Sequence, residues 1–326
     1  MPKRVIITAD DFGLSEAVNE AVERAHRDGV LTSASLMVGA PAAGDAVRRA
    51  RALPSLRVGL HLVVIEGPAV LPWAEIPGLL RSGAPLPQPS VCSSQPEPTR
   101  GGSFPSPPPL VGGGREEGSL RAQVKFPSDQ LALGLRYAFH PPVRRQLAAE
   151  IRAQFAAFAA TGLPLDHANA HKHMHLHPTV GRLMIEIGRE YGLQALRVPA
   201  EPPHVLAKCG RRARPGEYAL HRWTALLRRR AQRSGMAVND HAFGIAWSGH
   251  MTTEKLLRLA AHLPDGVNEI YFHPASRRDP VLTALMPDYE HEAELAALLD
   301  PAVRAAFAAQ GVTMTSFSEV AAPAAR

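Results

Sequence analysis

Cysteine is nearly missing from this chain. Only Cys92 and Cys209 occur in 326 residues, far apart and without CxxC spacing. That excludes a disulfide framework and a thiolate metal site. Long apolar runs are missing too, and no stretch reaches the roughly 18 residues that a membrane-spanning helix needs. No aromatic-rich RNP pattern and no zinc-finger spacing point to nucleic acid. No GxGxxG follows the first strand-like run, which removes support for a dinucleotide site. The opening stretch "MPKRVIITADDFG" lacks the apolar core and small-residue cleavage site of a signal peptide, and so predicts a cytoplasmic protein.

What is present is a globular composition, 45 % hydrophobic, with a formal net charge of +6. The length suits one large α/β domain spanning 1–326, or two small ones. Basic residues concentrate in "GRRARPGEYALHRWTALLRRRAQR", 210–233. On a helix, Arg222, Arg228, Arg229, Arg230 and Arg233 make a basic face beside Trp223, Leu226 and Leu227. That pattern suits either a solvated surface helix with a core stripe or a peripheral membrane contact.

The apolar pattern predicts strands at 4–8, 32–39 and 56–64, with helices at 15–28 and 42–52 between them. Ser15 is the predicted cap of the first helix, with Glu16 in its first turn and Gly29 past its end. Strands with no wet face argue for a parallel sheet covered by helices. Residues 83–119 are dense in Pro, Gly and Ser and predict a flexible insertion. Helices are then predicted at 141–162, 178–191, 210–233, 252–262 and 293–309. Strands are predicted at the histidine stretch and near 195–199, 241–247, 267–273 and 312–317. The expected fold is α/β: a distorted or incomplete (β/α) barrel with about seven parallel strands. An open doubly wound sheet is its competitor.

In such folds the carboxyl ends of the strands build the site. Four of them deliver acids or imidazoles here. Asp10 and Asp11 follow the first strand. Two adjacent carboxylates at a sheet edge repel unless one is protonated or a cation lies between them; taken alone, they read first as a helix cap beside a surface acid. His61 sits in "GLHL", facing away from Leu60 and Leu62. His273 follows "NEIYF" and precedes Pro274.

The fourth is "LDHANAHKHMHLHP", 165–178, with five histidines in eleven residues: His167, His171, His173, His175 and His177. In an extended chain they share one face with Asn169. Same-face neighbours lie about 7 Å apart, while metal–nitrogen bonds are about 2.0–2.1 Å. One ion could therefore take two adjacent imidazoles at most. The others must orient ligands, contact substrate or move protons.

Ala9–Gly13 ("ADDFG"), Gly59–Leu62 ("GLHL"), Ala168–His175 and His273-Pro274-Ala275 together resemble the YdjC-like carbohydrate deacetylases. The order and spacing agree over nearly the whole chain outside 83–119. The segments "GLPLDHANAHKHMHLHPTVGRLMIEIGREYGL" and "VRRQLAAEIRAQFAAF" are most similar to the hopanoid-biosynthesis branch. There are two departures: Asn169 stands where many relatives have Asp, and Ala275 where Gly is usual. The resemblance implies one divalent metal ion held by Asp11, His61 and His171 at the C-terminal strand ends. It makes Asp10 the general base and His273 the acid, with His173, His175 and Asn169 near substrate. Zinc suits two imidazoles and a carboxylate, and magnesium is the second choice. The implied reaction removes acetyl from an N-acetylglucosaminyl group, on a hopanoid glycolipid reached through the basic segment 210–233 or on a soluble chitooligosaccharide. A phosphoesterase would want two metals and more carboxylates. A metal-storage module would make Asp10 dispensable.

Overall fold

The computed structural model describes residues 2–80 and 125–322; the predicted insertion at 83–119 lies outside the described residues. Among the described residues, nine strands are interleaved with helices. In the first part of the chain these are β1 (Lys3–Phe12), α1 (Glu16–Arg27), β2 (Ser33–Leu36), α2 (Ala43–Arg51), β3 (Arg57–Leu62) and α3 (Pro77–Leu80). The middle holds α4 (Gln130–Phe139), α5 (Pro141–Ala160), β4 (Ala168–Ala170), a 3-10 turn (His171–Leu176), α6 (Pro178–Glu190), β5 (Ala195–Leu196), α7 (Pro203–Lys208) and α8 (Pro215–Arg233). The rest is β6 (Ala237–Val238), β7 (His241–Phe243), α9 (Thr253–Ala260), β8 (Gly266–Phe272), α10 (Pro280–Leu285), α11 (His291–Leu299), α12 (Pro301–Ala309), β9 (Thr313–Met314) and α13 (Phe317–Ala321).

All pairings between these strands are parallel, in the order β6-β5-β4-β3-β2-β1-β8-β7, with β9 added beside the start of β1. The two end strands of this order, β6 and β7, are neighbours in sequence. Only Asn239 and Asp240 separate them, and three peptide steps span at most about 11 Å. The sheet must therefore curl until its edges face each other. The Ala242 N–H donates to Ala200 O across the seam at 3.1 Å. The Asn239 side chain completes the join, accepting from Val198 N at 2.7 Å and donating to Val198 O at 2.8 Å. The predicted incomplete barrel is the fold found, with nine strands, several of them only two residues long.

The local reasons were mostly visible in sequence. Ser15 caps α1, accepting from Val18 N, and Ala17, Val18, Ala21, Val22 and Ala25 form its buried stripe. β1 is buried on both faces from Val5 onward, as a central parallel strand must be. Gly29 matters for a different reason than expected. The cap is Asp28, in ordinary right-handed backbone. Gly29 is required because a Cβ there would lie 2.2 Å from Leu298 O. The predicted helix 293–309 is two helices. Pro301 cannot donate to the turn before it, and Asp300 accepts from Ala302 N to start α12 afresh.

Candidate metal centre and active site

The first strand delivers both of its acids to one place by breaking its own regularity. In a regular strand Asp10 and Asp11 would face opposite sides. Between Ala9 and Phe12 the register with β2 shifts, and Asp11 takes a left-handed φ of 61°. This bulge turns Asp11 toward β3 and leaves Asp10 on the wall of the cavity.

Asp11 Oδ1 lies 3.2 Å from His61 Nε2 and 3.3 Å from His171 Nδ1, and the two nitrogens are 3.4 Å apart. Neither oxygen of the buried Asp11 carboxylate has a hydrogen bond of good geometry. The three donor atoms form a near-equilateral triangle around a common point, and each residue offers one ligand atom to it. Three ligands about 2.0–2.1 Å from one tetrahedral ion stand roughly 3.3–3.4 Å apart. The residues present fit a divalent ion. Burial alone would raise the Asp11 pKa, but the two imidazoles hold it well below the usual carboxylate range.

Asn169 sets the orientation of His61. Its Oδ1 accepts from His61 Nδ1 at 2.6 Å, which leaves Nε2 as the lone-pair side facing Asp11. The Asn169 amide donates to Ser35 Oγ at 2.8 Å and to Asp10 Oδ1 at 3.3 Å. An Asp at this place would instead set a second carboxylate against Asp10.

Asp10 is clamped from behind. Arg197 donates to its Oδ2 at 2.5 Å and its Oδ1 at 2.9 Å, and to Glu269 Oε1 at 2.8 Å. Thr8 Oγ1 also donates to Glu269. The Arg197 guanidinium lies 4.6 Å over the Tyr271 ring. Burial works to raise the Asp10 pKa, yet the Arg197 charge wins and holds it well below the carboxylate range. Asp10 thus rests ionised at neutral pH. With one partner on Oδ2, it keeps a lone pair for the cavity it lines.

His273 lines the same cavity, and its Nδ1 has no partner. Its backbone is fixed from α11: its N–H donates to Glu294 Oε2, and its carbonyl faces His291 Nδ1 at 2.6 Å. Burial pushes its imidazole below the ordinary value, with Asp11 and Asp10 opposing that shift. Tyr271 and Tyr289 flank the ring at 5.9 and 5.2 Å between centroids. The cavity has a volume of about 420 Å³ and is also lined by His61, His171, His173 and Ser248.

The histidine segment corrects the expected extended chain. Only Ala168–Ala170 is strand; a 3-10 turn follows, and Lys172 and His173 take left-handed φ values of 49° and 54°. The five rings therefore separate. His167 packs beneath β3, bonded to Asp166 and Ser35; a Cβ on Gly59 would come within 2.5 Å of its ring, which explains the glycine of "GLHL". His171 joins Asp11. His173 reaches the cavity and meets Tyr271 Oη at 3.0 Å. His175 is buried behind it, with Nε2 donating to Arg197 O at 3.1 Å, and burial pushes its pKa down to about 3. His177 caps α6. His175 and Asn169, expected beside substrate, are not among the residues that line the cavity. They hold Arg197 and His61 from behind.

Arg197, Glu269 and Tyr271 were missed in sequence. The available signal was a charge inside an apolar strand: Arg197 in "ALRVP" and Glu269 in "VNEIYF". A charge buried there must find a partner of opposite sign.

The family model described as YdjC-like protein matches residues 4–309. A carbohydrate deacetylase of Geobacillus stearothermophilus is 28 % identical over 320 residues, covering 98 % of each chain. A chitooligosaccharide deacetylase of Salmonella schwarzengrund is 43 % identical over 83 residues, 26 % of this chain and 32 % of that one. A solved structure from Enterococcus faecalis V583, described as a candidate cellobiose-phosphate cleavage protein, superposes with a TM-score of 0.69. It is 21 % identical and covers 99 % of this chain and 100 % of its own; at that identity the likeness concerns the fold.

Proposed function

The chain belongs to the YdjC-like family, and from that premise we propose that it is a metal-dependent N-deacetylase acting on an N-acetylglucosaminyl group. It is a hydrolase of a linear amide C–N bond. One observation carries the reading: the Asp11–His61–His171 triangle adjoins a cavity walled by an ionised Asp10 and by His273.

When bound, a divalent ion at Asp11, His61 and His171 supplies Lewis-acid polarisation of the acetyl carbonyl and a more acidic water. Two imidazoles and one carboxylate suit zinc better than magnesium. Asp10 accepts the proton of the attacking water on its cavity-facing oxygen, while Arg197 keeps the carboxylate in place. His273 is neutral at rest. As negative charge builds on the tetrahedral acetyl group, His273 takes up a proton from solvent and passes it to the departing amine, while the proton left on Asp10 returns to solvent. His173 and Tyr271 face the sugar together. Asn169 and His175 act through the residues they hold.

The resemblance of 162–193 to the hopanoid-biosynthesis branch supports a lipid-linked sugar as substrate. The exposed stripe of α8, with Trp223 and Leu226 beside Arg222 and Arg229, suits contact with the membrane that would hold it. Arg228 and Arg230 belong less to that surface, since they donate to the carbonyls of Asn239, Asp240 and Pro178. The named activities of the similar proteins favour a second reading, a soluble chitooligosaccharide. Mass spectrometry of N-acetylglucosaminyl hopanoid and of diacetylchitobiose, each incubated with the protein, tests both. Loss of one acetyl from either identifies the acceptor; no loss from any N-acetyl sugar refutes the deacetylase. His61→Ala is expected to lose the metal by elemental analysis, and a variant that keeps a full equivalent refutes the ligand set.

A further inference from the structure

Ser35, His167 and Asp166 stand in the order hydroxyl, imidazole, carboxylate. His167 Nε2 lies 3.0 Å from Ser35 Oγ, and its Nδ1 lies 2.8 Å from Asp166 Oδ2. That is the order of a hydrolase triad, but no substrate can reach it. Ser35 and His167 are wholly buried and Asp166 nearly so, and none of the three lines the catalytic cavity. These groups must act, if they act, through what they touch.

The direction of each hydrogen bond follows from donor and acceptor chemistry. The Asp166 carboxylate only accepts, so His167 carries its proton on Nδ1 and offers a lone pair at Nε2. The Asn169 amide nitrogen only donates; it faces Asp10 at 3.3 Å and Ser35 Oγ at 2.8 Å. The Ser35 hydroxyl hydrogen is then free for His167 Nε2. The Asn169 oxygen is left for His61 Nδ1–H, at 2.6 Å. One row results, from His61 through Asn169, Ser35 and His167 to Asp166, with every donor pointing away from the metal triangle. Bonds aligned in this way polarise and strengthen one another. The far end is held by α13: Ser318 N donates to Asp166 Oδ1 at 2.9 Å, and Phe317 stacks on the His167 ring at 4.7 Å between centroids. Burial alone would raise the Asp166 pKa, but the His167 and Ser318 donors hold it below the ordinary value.

We propose that Asp166, His167 and Ser35 are positioning residues for the metal, their row of hydrogen bonds drawing the His61 Nδ1 proton outward and making Nε2 a stronger ligand. The inference rests on the ligand set proposed above and goes beyond it. It gives His167 a task that neither substrate nor metal contact supplies, and it ties the metal centre to the helix α13.

The test measures zinc affinity, by competition with a chelating dye, in the wild type, Ser35→Ala, Asp166→Asn and the double variant. Ser35→Ala interrupts the row and leaves the Asp166–His167 pair in place. It should weaken zinc about three- to tenfold, less than the loss of a direct partner of the ligand. Asp166→Asn should weaken zinc as well, yet cost nothing further in the Ser35→Ala background, because its influence passes through Ser35. Residues that only support the fold would give independent losses that multiply. Multiplying losses overturn the proposal, and so does wild-type affinity in Ser35→Ala. NMR of the zinc-loaded protein supplies a second reading. The His61 Nδ1–H resonance should move upfield in Ser35→Ala as its bond to Asn169 weakens; an unmoved resonance overturns the proposal. Should Asp166→Asn not fold, Ser35→Ala and its spectrum decide alone. His61→Ala separates the two readings. If it keeps zinc, the ligand set and the row fall together; if it loses zinc while Ser35→Ala binds like the wild type, the row alone falls.

Discussion

Asp10 and Asp11 are adjacent in sequence and do opposite things. Asp11 faces two imidazoles with no hydrogen-bond donor of its own, while Asp10 faces a guanidinium. On the proposed roles, that difference separates metal retention from turnover. Asp10→Asn should keep a full equivalent of metal and lose about 10²–10⁴-fold in kcat, the usual cost of removing a general base; metal analysis beside an acetate-release assay checks both halves. Asn169 acts one step further back. Its carbonyl fixes the His61 tautomer at 2.6 Å, so Asn169→Ala should weaken metal affinity by about 10- to 100-fold, measured by competition with a chelating dye. The sequence made Asp10, Asp11, His61, His171 and His273 visible as chemistry-bearing residues. It could not show Asn169 as a support rather than a contact, because that depends on which oxygen faces which ring.

The elements carry the second layer of control. Buried glutamates tie the rim loops to the barrel. Glu201 accepts from Gly244 N and Ala246 N, each at 2.9 Å, and Glu294 accepts from Met251 N and His273 N. Burial pushes both pKa values up to about 7, against the backbone donors that pull them down. A carboxyl whose folded pKa lies above its unfolded value of 4.5 binds more protons folded than unfolded between the two. Its stabilising contribution is complete below pH 4.5 and is lost as pH rises through about 7. The stability of the wild type relative to Glu201→Gln should therefore fall over that window, by on the order of 3 kcal/mol; denaturation at pH 5 and at pH 8 reads it. A relative stability that stays constant or rises contradicts the burial argument. The break at Asp300–Pro301 was overlooked within the predicted helix 293–309, whereas the helix start at Ser15 was legible. The bulge at Asp11 and the left-handed pair Lys172–His173 were not, since no glycine announces them; tertiary contacts impose these conformations on ordinary residues.

At the scale of the molecule, the metal triangle joins β1, β3 and the turn after β4, the strands on one side of the curled sheet. An ion bound there ties three elements of the folded state and has no equivalent site in the unfolded chain. Loading should therefore raise the melting temperature. The stabilisation is about 4 kcal/mol at a free concentration a thousandfold above Kd. Chelation should reverse the gain in the wild type and have little effect on Asp11→Asn. Equal responses in the two proteins would place the ion elsewhere. A parallel sheet was foreseeable from strands apolar on both faces, and a barrel was expected ahead of an open doubly wound sheet. Its closure was not foreseeable: it depends on the Asn239 side chain acting as a strand partner across the seam between β6 and β7.

By itself the sequence determined the periodic elements, their parallel arrangement and the set of strand ends that carry acids and imidazoles, because these follow from side-chain character and local spacing. Only the tertiary structure decided which imidazoles meet Asp11, that Arg197 and Glu269 lie behind Asp10, and that hydrogen bonds join His61 to Asp166 through Asn169, Ser35 and His167. Those pairings join residues as far apart in the chain as Asp10 and Arg197. Distances of that kind are set by how the sheet curls and where the strands break, and no local pattern of residues encodes them.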